Sequence, residues 1–149
     1  MGDTGSLLLG LISVVLAIKF IELNKFDENN THPAFYSAPA IAVAVIIIPL
    51  FDTFRVFSLR ILKKQSPFTA DRNHIHHRIL QLGFSHLQTT FLLAFTNLFF
   101  IYLALELRRW GNFVLIFLFL GICFIINWIT TVLLRIKERK KFEISYLFK

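Results

Sequence analysis

The 149-residue sequence contains one cysteine, Cys123, so an intrachain disulfide and a cysteine-built metal site are both excluded. Cys123 lies inside an apolar run and reads as a small packed side chain. Acidic residues are scarce, nine Asp and Glu against 16 Lys and Arg, and no two aspartates are adjacent. Charge is missing altogether from three long stretches, 34–51, 87–105 and 113–134. Each is close to the ~20 residues that a helix needs to cross the hydrocarbon core. A soluble fold would have to hide these runs in a chain that is 56% hydrophobic, carries 18 Phe and has a mean hydropathy of +0.65. The basic n-region of a signal peptide is also missing, since Asp3 precedes the first apolar run. Asn30-Thr31-His32 is not a glycosylation acceptor, and His32 reads as a solvated loop residue. Without a soluble basic face or a base-reading motif, nucleic acid is not a partner.

What is present is an all-α pattern, a polytopic membrane protein in one domain, 1–149. About four transmembrane helices are expected, at about 6–23, 34–62, 87–106 and 113–134, with a cytoplasmic histidine loop at 63–86 and a basic tail at 135–149, lipid-facing or mobile. Lys19 and Glu22 can snorkel at the end of the first helix, and Pro39 and Pro49 can kink the second. Asn97 and Asn127, inside the third and fourth helices, read as interhelical hydrogen-bonding groups. Trp110, Tyr102 and Trp128 read as packing or interface residues. Of the 16 basic residues, six lie between Arg55 and Arg78 and six from Arg135 to Lys149. Four alternating helices put these twelve on one side, which the positive-inside rule makes cytoplasmic together with both termini. Arg108-Arg109 is the exception. The basic clusters can also meet anionic membrane lipid.

The dense polar stretch Ser66-Pro67-Phe68-Thr69-Ala70-Asp71-Arg72-Asn73-His74-Ile75-His76-His77-Arg78 is the candidate working part. It holds three of the five histidines. Pro67 ends the preceding helix, Thr69 or Asp71 can cap a short new one, and Gly83 can end it. On a helical wheel Ile75, Ile79 and Leu82 share one face. His74, His77, Arg78 and Gln81 share another, with His76 to the side. That is a short amphipathic cytoplasmic helix lying on the membrane. A zinc site at His74 and His77 with Asp71 is one reading, opposed by the flanking arginines. Binding of a phosphate-like anion by imidazole and guanidinium groups suits the basic surroundings better. A solvated polar face is the plain alternative. Asp52 and Arg55, three apart at a membrane boundary, can pair with each other or serve a site. In Gly2-Asp3-Thr4-Gly5-Ser6, Thr4 or Ser6 can simply cap the helix that follows. That helix N-terminus can also attract an anion, with Asp3 holding a divalent cation.

Three motifs together resemble one family: Met1-Gly2-Asp3-Thr4-Gly5-Ser6-Leu7, Pro49-Leu50-Phe51-Asp52-Thr53-Phe54-Arg55-Val56 and His74-Ile75-His76-His77-Arg78. In this order and with these spans between them, the chain resembles the bacterial polyprenyl-phosphate sugar-1-phosphate transferases, integral membrane enzymes. The His-Ile-His-His-Arg form is similar to the branch using UDP-N-acetylglucosamine or related UDP-N-acetylhexosamines. The resemblance implies transfer of N-acetylhexosamine-1-phosphate to undecaprenyl phosphate at the bacterial inner membrane, with release of UMP, initiating cell-envelope polysaccharide synthesis. It implies Mg²⁺, with Mn²⁺ in some members, on Asp3. It also implies catalytic roles for Asp3, His74, His76 and His77, and substrate binding by Asp52, Arg55, Arg72, Asn73 and Arg78. The family has roughly eleven helices and an upstream aspartate pair, whereas this chain supplies about four helices. The chain is therefore expected to be the C-terminal portion of such an enzyme, inactive alone and completed by a missing N-terminal half; superfamily resemblance also suggests a homodimer partner. A non-catalytic four-helix membrane module with an anion- or lipid-binding basic loop is the competing class, and a small zinc-handling permease a third.

Overall fold

In a computed structural model, the chain is described over residues 3–24, 35–66 and 74–147, with side chains described for 5, 8–24, 35–66 and 74–140. The expectations placed on His32, Thr69, Asp71, Arg72 and Asn73 lie outside the described residues. The described elements are helical: α1 (Asp3–Leu23), α2 (Ala38–Leu62), α3 (Ile75–Leu82), α4 (His86–Glu106) and α5 (Asn112–Leu147), with a 3₁₀ turn at Arg108–Trp110 before α5. Three of them, α2, α4 and the 112–140 part of α5, are long and apolar enough to cross a membrane. The protein is a multi-pass membrane protein. Its apolar side chains point outward in large numbers, Phe113 and Phe95 being 80% and 73% exposed. Such exposure suits lipid rather than water as the surrounding solvent.

The helix limits refine the expected ones for physical reasons. α1 begins at Asp3, which places Thr4 and Ser6 within its first turn. α2 begins at Ala38 rather than 34, with Pro39 in its first turn. An amide hydrogen there has no intrahelical partner, so Pro39 takes the place at no cost and does not kink the helix. Pro49 is the interior proline. It removes the amide that would have bonded the carbonyl four residues back, that of Val45. Asn97 on α4 donates its Nδ2 to that carbonyl at 3.0 Å. The interhelical role read for Asn97 is thus specific to the vacancy that Pro49 makes. α5 does not stop near Leu134 but runs on through the basic segment to Leu147, since Lys, Arg and Glu are good helix formers.

The chain divides into two compact units. The first comprises residues 1–47 and 97–119. Its core is Ala40, Ala44, Ile47, Phe100, Ala104, Leu115 and Phe119, with Phe100 and Phe119 edge to face at 5.6 Å. The small side chains of α2 allow close helix approach. Ser37 donates its hydroxyl to the Arg108 carbonyl, and Asn112 Oδ1 accepts the N–H of Ala40, an orphan donor in the first turn of α2.

The second unit comprises residues 48–96 and 120–149 and carries α3. Ser85 and Gln88 cap α4 reciprocally, each side chain accepting the other's backbone N–H. Phe51 meets Phe124 edge to face at 5.1 Å, and Cys123 is buried as expected. Gly83 ends α3 as its spacing predicts, at φ +110°, with its N–H on the Leu80 carbonyl. A Cβ there would lie 3.3 Å from Lys137 Nζ. Gly83→Ala should destabilise this unit by about 1–2 kcal/mol. Gly10→Ala, in open space on α1, should be neutral or stabilising by about 0.5–1 kcal/mol. The buried Cys123 thiol reports the result through its reactivity with a thiol dye as detergent-solubilised protein is heated.

Candidate functional site

The site is built on α3, an eight-residue helix that cannot be stable alone. Its N-cap residue, His74, makes no side-chain cap of its own. The cap comes instead from α2: Asp52 Oδ1 accepts the backbone N–H of Ile75 at 3.0 Å. The same oxygen accepts from Arg55 Nη2 at 3.0 Å, and Oδ2 lies 2.9 Å from His74 Nδ1. The pairing of Asp52 with Arg55 read from their spacing is therefore present, and it is tied to the histidine helix. At the other end, Lys137 on α5 donates Nζ to the Gln81 carbonyl at 2.8 Å. A carboxylate at the N-terminus and an ammonium at the C-terminus both complement the helix dipole.

Between these ends Arg78 points into the protein. Its Nη1 donates to Asn127 Oδ1 and its Nη2 to Thr131 Oγ1, both at 2.6 Å. Arg78 and Ile79 are the buried residues of α3. The wheel placed Arg78 on a polar face with His74, His77 and Gln81. The structure turns that part of the face toward α5, because Asn127 and Thr131 offer acceptors there. Asn127 thus makes the interhelical contact expected of it. Burial, then the neighbouring Arg55 guanidinium, lower the proton affinity of Arg78, and Asp52 raises it. Arg78 remains a cation, as arginine does in proteins.

The histidines divide by exposure. His77 is exposed, while His74 and His76 are partly so. His76 lies against His77 and His86, with ring centroids 5.8 Å apart in each pair. His86, the first residue of α4, thereby joins the cluster. Sequence reading left it at the end of the cytoplasmic loop with no role, although its imidazole twelve residues from His74 was the available signal. Thr131 and Lys137 were missed as well, having no local signal at all.

The structure therefore brings together Asp52, Arg55, His74, His76, His77 and Arg78 in the second unit. Arg72 and Asn73 lie outside the described residues. Asp3 belongs to the first unit at the start of α1, and its side chain is not among those described. Among the described residues no group of three or more His, Cys, Asp or Glu side chains could hold a metal ion. What this site offers is hydrogen-bond donors and positive charge on a firmly held helix, an arrangement suited to phosphate groups.

Comparison with curated proteins bears on that chemistry. Over 94 residues the chain is 35% identical to the undecaprenyl-phosphate alpha-N-acetylglucosaminyl 1-phosphate transferases of Yersinia pestis and of Escherichia coli K12. Over 96 residues it is 34% identical to the decaprenyl-phosphate N-acetylglucosaminephosphotransferase of Mycolicibacterium smegmatis. Over the matched stretch the chain is similar to polyprenyl-phosphate N-acetylglucosamine-1-phosphate transferases. The matches take in 63%, 63% and 62% of this chain and 23% of each relative's length. No family model and no solved structure matches the chain.

The anchoring of Arg78 is open to direct measurement. Arg78→Lys keeps the charge but cannot reach Asn127 and Thr131 together. It should lower stability by about 1–3 kcal/mol. A double-mutant cycle with Asn127→Ala should give a coupling of about 0.5–3 kcal/mol, against near zero for Arg78→Lys with Gly10→Ala.

Proposed function

We propose that this chain is the histidine-bearing part of a membrane transferase. The reaction moves N-acetylglucosamine-1-phosphate, or a closely related N-acetylhexosamine-1-phosphate, from its UDP-sugar to undecaprenyl phosphate. An oxygen of the lipid phosphate attacks the sugar-bound phosphorus, the pyrophosphate P–O bond breaks, and UMP leaves. The observation that carries this reading is the clamped helix α3, with buried arginines behind it and histidines on its accessible side, in a chain related to such transferases.

Phosphoryl transfer depends on positioning and on neutralising negative charge. His76 and His77 supply hydrogen bonds to the pyrophosphate oxygens, with Arg72 and Asn73 next to them in sequence. Arg78 and Arg55, both held within the protein, supply fixed positive potential. Mg²⁺, with Mn²⁺ as the alternative, is the metal of this reading, with Asp3 as its carboxylate ligand on this chain. The described residues form no metal cluster, so the remaining ligands would come from elsewhere, substrate phosphates included.

The basic segments meet where Lys137 bonds the Gln81 carbonyl, which supports placing them on one side of the membrane. By the positive-inside rule that side is cytoplasmic. With Cys123 replaced by Ala, a cysteine at exposed Gln65 should label only from the cytoplasmic side and one at exposed Arg109 only from the other. Labelling of both from one side would overturn this topology.

The activity itself is tested by UMP release from UDP-N-acetylglucosamine and undecaprenyl phosphate with Mg²⁺. Membranes should carry the chain alone and the chain with the sequence encoded immediately upstream. Transfer is expected in the extended form, and His77→Ala should lower its rate about 10²-fold, as loss of one charge-stabilising donor does. Release in neither form, with His77→Ala altering only adhesion to anionic vesicles, would favour the non-catalytic membrane module.

A further inference from the structure

Asp52 carries a buried carboxylate on α2. Its side chain is 11% exposed, and among the described residues its two oxygens face three donors: the Ile75 N–H, Arg55 Nη2 and His74 Nδ1. Capping α3 needs only one of those oxygens. The other is spent on an imidazole whose side chain is 46% exposed. A carboxylate can only accept hydrogen bonds, so the contact requires the proton on Nδ1 of His74, whether the ring is neutral or charged. Nε2 is then the one ring nitrogen left to meet a ligand.

We propose that Asp52 is a positioning residue that acts through His74, fixing its Nδ1–H form so that Nε2 is the working atom. In the neutral ring Nε2 carries a lone pair that can take a proton. In the charged ring Nε2–H donates to a phosphate oxygen. Either way one proton is exchanged at one defined atom, and the ring cannot turn it away without losing the bond to Asp52. Direct contact of Asp52 with a pyrophosphate is disfavoured, because like charges repel and both oxygens are already engaged. The phosphate-facing role of Nε2 rests on the transferase reading, whereas the tautomer assignment does not.

Two measurements separate these parts. The first uses the 149-residue chain in micelles with ¹⁵N-labelled histidine, His74 being assigned by its loss in His74→Gln. The unmodified chain should show His74 with Nδ1 protonated and Nε2 bare at high pH. In Asp52→Asn the amide oxygen can keep the Ile75 N–H, but the amide NH₂ then faces Nδ1 and should drive His74 to the Nε2–H form. An Nε2–H form or an even mixture in the unmodified chain overturns the proposal, without any variant having to fold. The second uses the form of the enzyme that releases UMP. Asp52→Asn and His74→Ala should each lower kcat about 10²–10⁴-fold with KM little changed, and the double variant should be no worse than either. Losses that multiply would mean that Asp52 acts independently of His74. If no form releases UMP, the transferase reading fails, while the tautomer result still decides this assignment.

Discussion

The carboxylate of Asp52 joins α2 to the first turn of α3, and the histidine segment has its shape because of that contact. Eight residues give a helix too little internal hydrogen bonding to offset the cost of nucleation. α3 is held by partners on longer helices: Asp52 at its amide end, Lys137 at its carbonyl end, and Asn127 with Thr131 gripping Arg78 between them. The histidines are thereby carried on a short element whose position is set by transmembrane helices. A loop of the same composition would have to be ordered by the ligand at an entropic cost.

The same rule, that backbone polar groups must find partners away from water, explains polar residues elsewhere. Pro49 frees the Val45 carbonyl and Asn97 takes it. The N–H of Ala40 meets Asn112. Ser85 and Gln88 close the start of α4. Each of these side chains would be costly in an apolar setting without a partner, and each has a backbone group as that partner.

How much of this was legible follows from the range of each signal. Apolar run length gave α2, α4 and α5 as spanning helices, because hydrophobicity is a property of the segment itself. Gly83 was legible as a stop, because positive φ is a local demand. The Asp52–Arg55 pair was legible from helical spacing. The cap on α3 was not, because its donor is Ile75 and its acceptor lies 23 residues earlier on another helix. A local search offers Thr69 or Asp71 instead. Arg78 escaped in the same way: periodicity says which residues share a face, and only tertiary structure says what that face meets. Pro39 and the extension of α5 to Leu147 were misjudged on boundaries, where propensity and charge pull in opposite directions.

The division of labour within the cationic cluster follows from the chemistry of its members. Guanidinium keeps its charge even where burial and a neighbouring cation work against it, as at Arg78. It is therefore suited to the inside, where its fork can also bind helices together. Imidazole changes charge near neutral pH and has two unlike nitrogens, so it is suited to the accessible side, where a proton or an anion's oxygen can be met and released. An imidazole with both nitrogens free would present either one. Tying one nitrogen of His74 to Asp52 removes that ambiguity, and the cap on α3 keeps the ring where the tie can be made. Structure and chemistry at this site thus meet in one carboxylate, which makes Asp52 the residue at which folding and function are hardest to separate.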